Sequence, residues 1–582
     1  MLDFTKLRRN TKKDFSGLKR IKVAVLSDSA SQLLCTALKG YGYEQDFHYD
    51  VFEAGYNEIE SEVFNPKSEF YAFEPDVVIV AKSTQKLLPA FYATGHSERK
   101  SFANEKISEL NDLCETIEKR LAAKVILFTF IEKDDRVFGN YANKTADSFL
   151  YQIRKLNLGL MDLAQHLPSV FVCDVQQLAL ETGWHEAVDA KNYISSDLVW
   201  NLNFLPLVVK HISGIVEAFE GRFKKCIVVD LDNTLWGGVI GDDGTAGIEI
   251  GSLGCGKAFS DLQQWIKELR NRGIIVCVCS KNDETVAKEP FQTHPDMILR
   301  LDDIAVFAAN WDNKVDNLHL IQETLSIGFD STVFVDDNPF ERGMVKEAIP
   351  ALEVPELPED PANYLSFLQS LNLFETASYT TEDRKRVQQY QEESKRISAK
   401  KVYQNEDEYL TGLQMKAEIL PLDEFTIPRA AQLSQRSNQF NLRTVRYTEN
   451  DLQKIAASDD YKAFVLRLSD KFGDYGIISF VVLKKQSSSV LFIENWMMSC
   501  RVLKRGVETL VLNHIVQTAR QRNFEFIAGE YLPTHKNGLV KNHFQNLGFK
   551  SNDGNWQLDT AAYQNRPVLI TTSTIAEVAN NF

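Results

Sequence analysis

No apolar run among the 582 residues reaches the length of a bilayer crossing, and the basic opening stretch, residues 1–20, lacks the apolar core of a signal peptide. Both absences predict a soluble, cytoplasmic protein with no membrane partner. A basic surplus is missing too. Asp and Glu outnumber Lys and Arg by 80 to 65, a net charge of -15, which speaks against a nucleic-acid binder. The eight cysteines lack metal-ligand spacing and read as reduced thiols. No internal repeat is visible. What remains is an ordinary globular composition, 44% hydrophobic and 25% charged, in a chain long enough for about three or four domains.

The most informative stretch lies near residue 230. Cys226-Ile227-Val228-Val229 is a short apolar run that predicts a buried strand, followed by Asp230-Leu231-Asp232-Asn233-Thr234-Leu235-Trp236-Gly237-Gly238. Open parallel sheets place their ligands at the carboxyl ends of strands, where Asp230 and Asp232 stand. Residues 273–282 form a second apolar run ending in Ser280, Lys281 and Asn282. Lys314 follows in Asn310-Trp311-Asp312-Asn313-Lys314, and Thr332-Val333-Phe334-Val335 leads into Asp336 and Asp337. Taken singly, two aspartates and a threonine could close a turn, Ser280 could be a turn hydroxyl and Lys314 a surface lysine. In this order they resemble the four motifs of the haloacid dehalogenase (HAD) phosphotransferases. That resemblance implies Asp230 as nucleophile, Asp232 as general acid and base, Lys314 beside them, and phosphate contacts from Thr234, Ser280, Lys281 and Asn282. It also implies Mg²⁺ held by Asp230, Asp232, Asp336 and Asp337, since this hard cation favours carboxylate and carbonyl oxygens. The interval from Asp230 to Ser280 is largely one helix, expected over residues 257–272 and stopped by Gly273. Neither that interval nor the next has room for a cap domain. Only the glycine-rich turn 236–256 remains as a flap, and an open site suits a phosphoryl group on a long arm or a protein.

On either side the texture changes. Residues 1–215 alternate strand and helix, with strands expected at 21–26, 50–53, 76–80, 124–130 and 169–173 and a helix over 104–121, the pattern of a doubly wound α/β domain. Ser27-Asp28-Ser29 after the first strand resembles the opening block of SGNH hydrolases, and Gly55 and Asn57 echo later blocks. The closing Asp-x-x-His is absent, because Asp197-Leu198-Val199-Trp200 carries Trp200 where a histidine base belongs. A serine without its base is not activated, so this domain is expected to be a non-catalytic scaffold or docking surface. The HAD-like domain is expected to span 216–372. The acidic, proline-rich segment 355–361 is taken as its end and the start of a linker.

Residues 373–582 resemble the GNAT acyltransferase fold, with strands expected at 463–468, 476–483, 490–498 and 524–528 and a central helix from about residue 503 to 522. Arg501-Val502-Leu503-Lys504-Arg505-Gly506 stands where that fold cradles a pyrophosphate on the amides of a helix N-terminus, with Lys504 replacing the first glycine. Cys500, Arg501, Gly506 and Asn438 are the expected acyl or carrier-binding residues. Asn438 belongs to Ser437-Asn438-Gln439-Phe440-Asn441, which either lines an acyl site or is a loop of capping residues. Cys279 and Cys500 are the two cysteines placed for an acyl-enzyme.

The three parts in this order, an SGNH-like doubly wound domain, a capless HAD Rossmann-like domain and a GNAT-like α+β domain, resemble the FkbH-like family over nearly the whole chain. The resemblance implies a bifunctional phosphatase and glyceryltransferase that loads a three-carbon unit from 1,3-bisphosphoglycerate onto an acyl carrier protein. The alternatives are a phosphatase of a sugar phosphate or phosphoprotein, with flanking domains used only for recognition, and an assembly protein whose enzymatic domains have decayed.

Overall fold

Val77–Ala81, five consecutive residues buried on both faces, typifies the strands of a sheet that carries helices on each side. The computed structural model describes residues 3–379, 389, 392, 396, 403, 405–437, 439–534, 537–552 and 555–574, and the chain divides into two units, Met1–Glu217 and Ala218–Phe582.

In the first unit β1 (Lys19–Ser27), β2 (Phe47–Glu53), β3 (Val77–Ala81), β4 (Lys124–Phe128) and β5 (Val170–Cys173) form one parallel sheet in the order β2-β1-β3-β4-β5. All five expected strands are present within a few residues. The helix Phe102–Arg120 buries Leu110, Leu113 and Ile117 at helical spacing against that sheet's core. The sheet order reverses between β1 and β3, which leaves a crevice at their carboxyl ends.

In the second unit β6 (Cys226–Val229), β7 (Ile275–Ser280), β8 (Ile304–Ala309) and β9 (Thr332–Val335) form a parallel sheet in the order β8-β7-β6-β9. Val229 pairs with Val278 on one side and Val335 on the other, so Asp230, Ser280 and Asp336 leave adjacent strand ends together. The helix Gly254–Asn271 buries Phe259, Leu262, Ile266 and Leu269, and Gly273 (φ 101°) ends it as expected. The segment after Pro355 is not a linker. Leu357, Tyr364, Leu368 and Phe374 pack into the same core as β6, with Tyr364–Ser370 helical. Its acids Glu356, Glu359 and Asp360 lie on the solvent side, while Pro355 is buried with Leu357.

A mixed sheet completes the unit, with β10 (Met415–Pro421), β11 (Tyr461–Asp470), β12 (Gly473–Lys485), β13 (Val490–Met498), β14 (Phe526–Gly529), β15 (Lys550–Asn552), β16 (Asn555–Asp559) and β17 (Ile570–Thr574). Its order is β15-β16-β14-β13-β12-β11-β10-β17, antiparallel except for the parallel pairs β13/β14 and β10/β17. The helix Val507–Gln521 joins β13 to β14 and buries Val511, Ile515 and Val516 in the core of this mixed-sheet region.

Candidate active site

β6 ends at Val229, and the amide of Asp230 still donates to the Val335 carbonyl at 2.9 Å, so the Asp230 side chain starts from a fixed backbone. The chain then turns sharply: the amides of Thr234 and Leu235 donate back to Leu231, and Asn233 adopts φ 53°. This turn separates the two carboxylates that a continuous strand would have aimed the same way. Asp232 points to the flap, where Oδ1 accepts from the Trp236 indole (2.9 Å) and the Ile240 amide (3.0 Å) and Oδ2 accepts from Asn282 Nδ2 (2.9 Å). Trp236 is fully buried, so this orientation is locked by core packing. The flap includes the kinked helix Ile240–Gly247. It turns at Gly238 (φ 91°), where an added Cβ would lie 2.6 Å from Asp243 Oδ2.

Asp230 points the other way, into a charged cluster. Lys314, the first residue of the helix Lys314–Leu325, places Nζ 2.9 Å from Asp230 Oδ2 and 2.6 Å from Asp336 Oδ2. All three groups are at least nine-tenths buried. Carboxylate oxygens of Asp230, Asp336 and Asp337 lie within 4.8 Å of one another. Asp337 accepts from Thr234 Oγ1 at 3.2 Å and returns its amide to the same oxygen at 3.0 Å. Arg342 donates to the carbonyls of Asp336 (2.8 Å) and Asp337 (2.6 Å) and pairs with Glu356, which fixes the loop carrying both acids.

Burial pushes the Asp230 carboxyl up to about 6, with Asp336 adding to the rise and Lys314 and Ser280 opposing it. Burial also raises Asp336 and Asp337. Burial alone would depress Lys314, but Asp230 and Asp336 hold its ammonium above the ordinary lysine range. One ammonium thus faces three carboxylates, and Asp230 Oδ1 is buried without a hydrogen-bond partner. An oxygen-rich donor set with surplus negative charge and an unpartnered carboxylate oxygen fits a hard divalent cation such as Mg²⁺.

The remaining expected residues divide. Thr234, Ser280 and Asn282 are brought beside the cluster, with Asn282 Nδ2 donating to Ser280 Oγ at 3.1 Å. Lys281 turns to Glu341 at 2.6 Å, with its side chain 37% exposed. Cys279 is buried with its thiol pushed upward by burial and its Sγ 3.7 Å from the Lys314 carbonyl, which disfavours it as a nucleophile. Trp236 and Arg342 escaped the sequence reading as site residues, because their hydrogen bonds follow from three-dimensional packing rather than from a motif position.

In the GNAT-like domain, Asn438 and the side chain of Cys500 lie outside the described residues. Arg501 is turned inward: Nη1 donates to Gln389 (2.6 Å) and Nε to Ser499 (3.2 Å), so it offers no free guanidinium to a carrier. Gly506 (φ 83°) caps the helix Val507–Gln521 as a left-handed residue. Lys504 is also left-handed, and its amide donates to Glu508 at 3.2 Å. A carboxylate thus occupies a donor that an anion cradle would need.

Pairing of β13 with β14 stops at Ile493 and Gly529, and residues 440–442 enter the gap beyond. Leu442 donates to the Trp496 carbonyl (3.2 Å), Met498 to Phe440 (3.1 Å) and Leu532 to Leu442 (3.0 Å), and Asn441 forms an isolated antiparallel bridge with Met497. Arg443 clamps the branch point through Glu494 (2.7 Å) and Glu530 (2.9 Å). Arg443→Ala should leave two partly buried carboxylates unpaired and lower stability by about 1–3 kcal/mol, read from denaturant unfolding that follows this domain. An unchanged midpoint would show the clamp to be idle.

In the first unit the Ala30 amide donates to the Asp197 carbonyl at 3.1 Å, so the segment 197–200 does reach the Ser-Asp-Ser turn. Trp200 packs on Phe128 at 5.3 Å, Asp197 pairs with Lys86 at 2.9 Å, and no imidazole stands there. Gly55 and Asn57 are exposed and do not line the crevice.

Residues 22–217 match the model of the FkbH N-terminal domain. A crystal structure of the N-terminal part of a Bacteroides fragilis protein, containing a phosphatase domain complexed with Mg, is 46% identical and superposes with a TM-score of 0.63. It covers 65% of this chain, and this chain covers 100% of it. A HAD-like hydrolase superfamily protein of Schizosaccharomyces pombe is 28% identical over 167 residues, covering 26% of this chain and 95% of the yeast protein.

Proposed function

The chain belongs to the FkbH-like family and is a HAD-type phosphatase, and from that premise we propose that it hydrolyses the phosphate monoester of a short acyl unit carried on a long arm. In this reading Asp230 attacks phosphorus, the bond to the leaving oxygen breaks, and an aspartyl-phosphate forms. Asp232 gives its proton to the leaving oxygen, then takes one from the water that releases phosphate. Lys314, Ser280 and Thr234 hold the phosphoryl oxygens, Asn282 keeps Asp232 aimed, and Lys281 supplies positive charge at the rim beside Glu341. Asp230, Asp336, Asp337 and the Asp232 carbonyl would hold Mg²⁺, which would supply positive charge against the substrate phosphate.

The observation that carries this reading is the division of the two acids. Asp230 faces the lysine and the other carboxylates, while Asp232 is held apart on the flap by Trp236, Ile240 and Asn282. One carboxylate is placed to attack and the other to move protons. With a flap in place of a cap domain, a substrate tethered to an acyl carrier protein could reach the site. The acyl unit proposed is glyceryl: a thiol attacks the carboxyl carbon of 1,3-bisphosphoglycerate, the 1-phosphate leaves as the thioester forms, and the remaining 3-phosphate is hydrolysed at Asp230.

Incubating the protein with a holo acyl carrier protein, Mg²⁺ and 1,3-bisphosphoglycerate tests this by intact mass. A glyceryl adduct on the carrier supports loading. An unmodified carrier, with phosphate still released from other monoesters, leaves a phosphatase alone. Asp232→Asn should lower kcat by about 10²–10⁴-fold. Because the second step needs a base, the variant should also accumulate phosphoryl-enzyme from an activated acyl phosphate. Full turnover in that variant would remove Asp232 from proton transfer.

A further inference from the structure

Residues 1–21 carry seven Lys and Arg against two Asp, in a chain whose net charge is -15. This basic segment precedes residues 22–217, the stretch that matches the family model, so the match assigns it no role. The helix Phe4–Asn10 is held by its inner side. Leu7 is fully buried, and a Cβ on Gly40 would lie 2.0 Å from the Leu7 carbonyl oxygen. Asn10 donates to the Gly40 carbonyl at 3.2 Å. The outer side carries Arg8, Arg9, Lys12 and Lys13, all exposed. The amides of Lys12 and Lys13 donate to Arg9 (3.1 Å) and Asn10 (2.9 Å), so the chain keeps turning and the cations stand as two rows about one turn apart.

The acids nearby are already taken. Asp3 accepts from the Lys6 amide (2.6 Å), Asp14 from Ser16 Oγ (2.7 Å), and Glu44 from Lys6 (3.1 Å) and Asn10 (2.6 Å). None of the four cations has an ion-pair partner among the described residues. The negative end of the helix dipole favours cations at Arg8 and Arg9, but Lys12 and Lys13 lie beyond it, and like charges one turn apart repel. The array therefore opposes stability until a counter-charge arrives. An anionic bilayer, a nucleic acid and an acidic protein differ in what else they need. A helix that enters a bilayer surface turns its apolar side outward, and here Leu7 faces inward. Single-stranded nucleic acid needs exposed rings for stacking, and Phe15, two residues past Lys13, is packed on Tyr43 (5.4 Å) and His48 (5.0 Å). Any extended polyanion would also meet the acidic remainder of the chain. A compact acidic protein meets the patch alone.

We propose that Arg8, Arg9, Lys12 and Lys13 form the docking surface for the acidic face of a protein that carries the substrate, an inference that rests on the carrier-borne reading above. The probe is a dye-labelled, strongly acidic holo acyl carrier protein, titrated with the full chain and followed by fluorescence anisotropy at about 50 and about 300 mM salt. Saturable binding that weakens with salt is expected. The variant Arg8→Gln/Arg9→Gln/Lys12→Gln/Lys13→Gln should bind roughly tenfold more weakly and lose most of the salt dependence, since each exposed pair contributes little and four act together. Its phosphate release from a small monoester should match the wild type, and its unfolding midpoint should be unchanged or higher. No saturable binding, equal binding by the variant, or a lower unfolding midpoint overturns the surface. Capture of phosphatidylserine vesicles or RNA in place of the carrier, lost in the variant, overturns an acidic protein as the partner. A carrier that docks in this way but is never loaded leaves the surface standing and removes the glyceryl-loading reading. A carrier loaded by the variant with unchanged KM does the reverse.

Discussion

Asp230→Asn is expected to lower phosphate release by roughly 10⁴-fold or more, about 5.4 kcal/mol of transition-state stabilisation. The carboxamide keeps the shape of the side chain but has no electron pair suited to attack phosphorus, so no aspartyl-phosphate can form. The loss should come without loss of fold. In the absence of metal, Asp230 is one of two buried carboxylates sharing the Lys314 ammonium, and removing its charge relieves repulsion with Asp336. Thermal unfolding in a chelator should therefore be unchanged or shifted upward. The upward shift that Mg²⁺ gives the wild-type protein should shrink, because one of its ligands is gone. Stripping Mg²⁺ from the wild type should abolish turnover and adding it back should restore it. Residual turnover of Asp230→Asn near the wild-type rate would mean that another group takes the phosphoryl.

What the amino-acid sequence reveals about this site is what is encoded locally. Cys226–Val229 and Thr332–Val335 are buried on both faces, so each reads as an apolar run with its functional residue at the end. Lys314 was legible by order alone, and β8, the strand before it, was not, because Ile304–Ala309 lacks a flanking motif. Contacts made across space stayed hidden. Nothing in the order of residues says that the Trp236 indole orients Asp232, or that Arg342 fixes the carbonyls of Asp336 and Asp337. Composition misled at residues 355–361, where the acids mark the outer side of a segment whose Pro355 and Leu357 are buried. The loop after Ser437 was legible as unusual, but its backbone bonds to β13 and to Leu532 depend on where two distant strands diverge.

Lys314→Met tests the same cluster from its cationic side, with a different signature. Lys314 is 3% exposed and its ammonium touches both Asp230 and Asp336. A methionine of similar length fills the space and leaves those carboxylates facing each other in a dry site. Breaking a buried pair by removing one partner costs about 3–5 kcal/mol, so the variant should unfold at markedly lower denaturant when metal is absent. Mg²⁺ should restore part of that stability, because it too is positive and binds the same oxygens. Activity should stay low, by roughly 10²–10³-fold, because a fixed donor to the transferring phosphoryl group is missing. The decisive measurement is the double-mutant cycle. Adding Asp230→Asn to Lys314→Met removes one of the stranded charges, so the pair should be less destabilised than the sum of the two single variants. Strict additivity would mean that Lys314 and Asp230 do not share their charge, and the cluster would lose its claim to work as a unit.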